Sequence, residues 1–126
     1  MIFPFHKGFC QVLLRIDTTL AEPLYGQIAS QLTHAIARGE IEPGSRLPSA
    51  KELASAVNVN LHTVLHAYAV LRDAGLVELR PRRGAVVLPS GPMAARLMEQ
   101  VRQLVEAARG QGFSQPELID LVRNEW

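Results

Sequence analysis

The segment from Asn58 to Tyr68 places the tightest constraint on how this chain folds. Asn60 is a cap residue whose side-chain oxygen can accept from the backbone N–H of His62 or Thr63. A helix is therefore predicted to start there and run to about Ala74, where Gly75 terminates it. Ahead of it, Ser49 with Glu52 three residues on is expected to close a capping box on a shorter helix. That helix buries Leu53, Ala54 and Val57, and the chain turns at Asn58. Behind the second helix, Leu76 to Arg80 and Ala85 to Leu88 read as short strands joined by Pro81-Arg82-Arg83-Gly84. Helix, turn, helix and basic hairpin in that order spell a winged helix-turn-helix.

On a helical projection of the second helix, Val64, Ala67, Tyr68 and Leu71 cluster on one side. His62, His66, Ala69 and Asp73 fall opposite, with Leu65 at the edge. The helix has a core side and a presented side.

The flanking segments complete the architecture. Gln11 to Asp17 has the aliphatic content of a short strand, following a Pro- and Gly-containing start at residues 1 to 10 that reads as a poorly ordered extension. Thr18, Thr19 and Glu22-Pro23 open a first helix, with Pro in its first turn, that carries Leu24, Ile28, Leu32, Ala35 and Ile36 on one face and stops at Arg38-Gly39. Pro43-Gly44 and Pro48 mark a turn-rich connection. After Pro89, Gly91 and Pro92 comes a helix with an apolar stripe of Met93, Leu97, Val101, Leu104, Val105 and Ala108. Gly110-Gln111-Gly112 breaks it, and Ser114 with Glu117 caps a last helix bearing Leu118, Ile119, Leu121, Val122 and Trp126. The expected fold is mainly α: residues 1–20 an N-terminal extension with a short strand, 21–89 a winged helix-turn-helix, and 90–126 a two-helix dimerisation region.

The net charge of +1 does not announce a polyanionic partner, so a nucleic-acid footprint must be local. Three arginines within four positions, Arg80, Arg82 and Arg83, supply one, with Gly84 permitting close backbone approach. Asn60, His62 and Thr63 give polar reach at the start of the presented helix, and His66 lies one turn on. Ser49 and Lys51 are placed for backbone phosphates. DNA contact is therefore expected at Ser49, Lys51, Asn60, His62, Thr63, His66, Arg80, Arg82, Arg83 and Gly84.

Over residues 23 to 87 the sequence resembles the GntR-type winged-helix regulators, and in its short tail the YtrA-like subgroup. The resemblance is carried by Pro23-Leu24-Tyr25-Gly26-Gln27-Ile28, Ile36-Ala37-Arg38-Gly39-Glu40-Ile41, Pro43-Gly44-Ser45-Arg46-Leu47-Pro48-Ser49, Glu52-Leu53-Ala54, Thr63-Val64, Ala67-Tyr68, Leu71, Gly75-Leu76-Val77-Glu78 and Gly84. It implies a cytoplasmic bacterial repressor that binds a palindromic operator as a homodimer, with the family's DNA contacts falling on Ser49, Lys51, Asn60, His62, Thr63 and Arg83-Gly84. The chain departs from the family where many members carry arginine on the recognition helix and it carries Leu61 and Leu65. His62 and His66 are expected to take over part of the readout.

A tail of ~34 residues in two helices cannot bury both apolar faces alone, so Met93, Leu97, Val101, Leu104, Val105, Leu118, Leu121 and Val122 are expected to form a dimer interface. Arg96, Glu99, Arg102, Glu106 and Arg109 on its polar side are too balanced for an anionic membrane surface. No run approaches the ~18 apolar residues of a membrane span, and the amino terminus lacks the apolar core of a signal peptide. The single Cys10 suits a reducing cytoplasm and excludes an intrachain disulfide, leaving a lone redox thiol as an alternative. No cofactor is expected, and no phosphate loop, nucleophile motif or acid pair points to an enzyme. Two other readings stay open: a metal-responsive regulator using the i, i+4 pair His62 and His66, and a winged helix that contacts only proteins. An effector would need a dimer groove, since an internal cavity of ~300 Å³ is not expected within one subunit.

Overall fold

The computed structural model describes residues 2–3 and 12–126. Expectations for residues 1 and 4–11, Cys10 among them, lie outside the described residues. Strand β1 (Ile2–Phe3) pairs antiparallel with β2 (Val12–Leu13). Three helices follow, α1 (Leu24–Ala37), α2 (Ala50–Val57) and α3 (Leu61–Asp73), then a hairpin of β3 (Val77–Arg80) and β4 (Gly84–Val87), then α4 (Gly91–Gly110) and α5 (Gln115–Glu125). Two compact units result, Met1–Arg96 and Leu97–Trp126.

The core of the first unit forms where the apolar faces of α1 and α2 meet α3. Ile28, Leu32 and Ile36 of α1, Leu53 of α2, and Val64, Ala67 and Leu71 of α3 are fully buried. Each recurs at the helical period, so a single stripe per helix reaches the centre. Pro23 occupies the cap position of α1 rather than its first turn, and no side chain caps that end. Asp17 and Thr19 instead form a local turn of their own. Those bonds stabilise the ionised Asp17 carboxylate and hold its pKa below the ordinary value.

The extended residues before α1 are fastened by two glutamines. Gln31 accepts from the Arg15 N–H at 2.7 Å and donates to the Arg15 carbonyl at 2.6 Å, imitating a strand neighbour. The buried Gln27 does the same for Asp17 and also donates to the Glu22 carbonyl. This satisfies backbone groups that no sheet supplies with partners. Thr33 is the opposite case: its hydroxyl is buried without a partner among the described residues. Because a buried unpaired hydroxyl costs about 1 kcal/mol or more and valine has the same shape, Thr33→Val is expected to raise stability by about 1 kcal/mol. A urea midpoint that falls instead would contradict this.

The hairpin is wider than the sequence suggested. Arg46 bridges Val86, and Gly44, Leu47 and Val87 N–H groups bond the carbonyls of Val87, Ala85 and Ser45. Residues 44–47 thus cover one edge of β4. At the other side of the wing base, Gly91 opens α4: a Cβ there would lie 2.8 Å from the Leu76 carbonyl oxygen. Gly91 and Pro92 are therefore the first turn of α4 and not a linker before it.

Candidate nucleic-acid interface

Local chemistry sets the start of each presented helix. Ser49 Oγ accepts from the Glu52 N–H at 3.1 Å and caps α2. The return bond of the expected capping box is not made among the described residues. Instead the Glu52 charge acts on Tyr68, whose pKa is raised by burial first and by Glu52 second. Asn58 takes a left-handed conformation (φ 56°) at the end of α2, a backbone that Asn tolerates better than most residues. Asn60 Oδ1 then accepts from the His62 N–H at 2.8 Å, as the sequence predicts.

Tyr68 locks the two helices together. Its hydroxyl donates to the Pro48 carbonyl at 2.6 Å, so α3 holds the residue that leads into Ser49. Tyr68→Phe leaves that carbonyl buried and unpaired and should cost about 2 kcal/mol, read as a lower urea midpoint at unchanged slope. The buried hydroxyl also stays protonated above pH ~10, where the unfolded chain ionises. Its pKa is raised in the fold, so this stability is complete below pH ~10 and is lost as pH rises further. The phenylalanine variant should show a smaller alkaline decline, and an identical decline in both proteins would contradict this assignment.

On the outward side of α3, His62 is exposed and Thr63 half-buried. His66 is exposed but not free: its ring stacks on Tyr25 of α1, centroids 3.7 Å apart at 17°. Leu61 and Leu65 stand on the same outward side, exposed by 41% and 46%. Lys51 is exposed in the first turn of α2. Among the described residues no three His, Cys, Asp or Glu side chains lie together as metal ligands.

The wing separates its arginines. Arg80 is paired with Glu78 two residues away, its Nε and Nη2 at 3.0 and 2.8 Å from one carboxylate oxygen. Arg82 and Arg83 are exposed at the turn. The Arg83 N–H bonds the Arg80 carbonyl across Pro81 and Arg82, and Arg82 has φ 68°. Proline followed by a positive φ is the type II pattern, in which glycine or asparagine is usual at the Arg82 place. Beside the wing a groove of about 700 Å³ is lined by Arg46, Arg80 and Arg83 together with Val86, Leu88 and Pro89. It is a half-open surface feature and not an internal cavity. Arg46 and Tyr25 were missed by sequence reasoning because their roles arise only when distant elements meet; Glu78 was missed although it stands two residues from Arg80 on the same strand, where alternate side chains share a face.

These features have counterparts in known proteins. Residues 24–87 match the family described as "Bacterial regulatory proteins, gntR family". The chain is 32% identical over 106 residues to the HTH-type transcriptional regulator Rv1152 of Mycobacterium tuberculosis, spanning 84% of this chain and 88% of that one. It is 30% identical over 118 residues to the HTH-type transcriptional repressor YtrA of Bacillus subtilis, spanning 88% and 90%. Among solved structures it is similar to YtrA from Sulfolobus acidocaldarius, a GntR-family transcription factor, at 35% identity and a TM-score of 0.58, over 87% of this chain and 93% of that one. Sequence, helix-turn-helix, wing and relatives agree: the chain belongs to the gntR family of bacterial regulators and is a DNA-binding transcriptional regulator with YtrA-like relatives, not an enzyme.

Proposed function

We propose that the chain acts in the cytoplasm as a repressor that binds a palindromic operator as a homodimer. The carrying observation is the tail. Helix α5 has no buried residue, and in residues 97–126 only Ala108 is buried. Met93 and Val101 on α4 are exposed by 74% and 51%, and Leu97, Leu104, Val105, Leu121 and Val122 are exposed as well, with Leu118 half-buried. A helical pair without a core of its own, bearing a continuous apolar stripe, calls for a covering surface, and a second copy supplies a matching one. No described helix is long and apolar enough to cross a membrane. The capping box of Ser114 and Glu117 secures the start of α5, and its bonds favour the ionised Glu117, whose pKa is lowered.

Two-fold symmetry in the protein would present two copies of α3 to one face of the duplex, which supports a palindromic site. In that reading Ser49 and Lys51 meet phosphates, Asn60, His62 and Thr63 approach base edges, and Arg82, Arg83 and Gly84 enter or flank the minor groove. His66, held against Tyr25, and Arg80, held by Glu78, contribute from fixed positions. The B. subtilis relative, named as a repressor, supports the direction of regulation. Positive φ at Arg82 costs a non-glycine residue about 1–2 kcal/mol. Strain retained at a charged tip supports a use for that side chain.

Leu97→Asp with Val101→Asp tests the assembly. Both sites are exposed in the protomer, so the fold should survive. Sedimentation at micromolar concentration is expected to change from dimer to monomer, and operator affinity to fall with it. A wild-type protein that sediments as a monomer would contradict the proposal.

A further inference from the structure

The recognition face holds two side chains that neither phosphate nor a base-edge donor would attract. Leu61 and Leu65 are exposed by 41% and 46%, one turn apart at the amino-terminal end of α3 and interleaved with His62 and Thr63. They leave apolar area in water beside the polar side chains of His62, Thr63 and His66. The core does not need them, since Val64, Ala67, Tyr68 and Leu71 fill the buried side.

The edges of base pairs in the major groove carry one apolar group, the C5-methyl of thymine. A leucine side chain has no donor or acceptor. Against guanine O6 and N7 or cytosine N4 it displaces water without replacing the lost hydrogen bonds, whereas against a thymine methyl both partners lose apolar surface. One side chain thus rewards A·T and penalises G·C at the same position. We infer that Leu61 and Leu65 are specificity determinants that read thymine methyl groups in each half-site. The inference rests on the DNA-binding reading of α3 and deepens it. Positions four residues apart on a helix are ~6 Å apart along its axis, close to two base-pair steps of ~3.4 Å. Methyls on nearby base pairs are therefore within reach of the two leucines together, beside the bases approached by His62 and Thr63.

Deoxyuridine differs from thymidine only by that methyl, which makes the test direct. In a duplex selected by the wild-type protein, each thymine is replaced singly by uracil and affinity is measured for wild type, Leu61→Ala and Leu65→Ala. At two thymines per half-site, uracil is expected to weaken wild-type binding about fourfold, the contribution of one buried methyl. Leu61→Ala should abolish the uracil effect at one of these thymines and Leu65→Ala at the other. A selected half-site without thymine, tolerance of uracil throughout, or equal uracil effects in wild type and both alanine variants would overturn the inference. Salt-dependent binding of wild type to unselected duplex separates the two levels. If it persists while uracil is tolerated, only the methyl readout fails; if no duplex binds at all, the DNA-binding reading fails and the inference with it.

Discussion

Replacing Arg82 by glycine and Arg83 by glutamine together is expected to weaken binding to every duplex by about tenfold per arginine and to lower the salt slope by about one per arginine. The two side chains are exposed at the wing turn, unlike Arg80, whose charge is answered by Glu78 at 2.8 Å. Cations in such a place gain little from the fold and much from phosphate, because counterions leave the duplex when they bind. Glycine at position 82 suits the φ of 68° found there, so a loss of affinity cannot be traced to unfolding. The effect should be uniform across sequences. Replacing His62, by contrast, should alter which sequences are preferred, since His62 stands on the outward side of α3. A double wing variant with unchanged affinity and unchanged salt slope would remove the wing from the interface.

Gly91→Ala is expected to cost about 2–3 kcal/mol and lower the melting temperature by ~10 °C. A Cβ at this position would sit 2.8 Å from the Leu76 carbonyl oxygen and 3.1 Å from Val87 Cγ1. The oxygen cannot simply withdraw, because it accepts the Leu88 N–H at 3.0 Å. Alanine gains at most about 1 kcal/mol of helix propensity over glycine, too little to offset the clash. The base of the wing and the first turn of α4 would have to move apart. Thermal unfolding followed by circular dichroism decides the matter, and an unchanged midpoint would show that this contact is slack.

What the sequence made legible was local. Ser49, Asn60 and Ser114 cap their helices as expected, because a cap joins residues two or three positions apart and needs no knowledge of the rest of the chain. The buried side of α3 was equally plain, since Val64, Ala67, Tyr68 and Leu71 repeat with the helix. The distant partnerships were not. Nothing in the spacing of Tyr25 and His66 announces a ring stack, and neither Gln27 nor Gln31 declares which backbone it will fasten. Polar side chains accept many partners, and tertiary geometry chooses among them. Arg46 sits within a stretch that reads as a turn, yet its backbone bridges β4 and its side chain lines the groove shared with Arg80 and Arg83. Gly91 looked like punctuation for the same reason: close approach of a distant carbonyl leaves no trace in local pattern.

Enrichment of bound duplexes from a random pool tests the central claim most directly, because half-site, symmetry and spacing emerge together. A two-fold dimer presenting α3 and the wing predicts an inverted repeat whose half-site centres lie about 10–10.5 base pairs, or a multiple of that, apart. Recovery of a single unsymmetrical site, or of no preferred sequence at all, would contradict it.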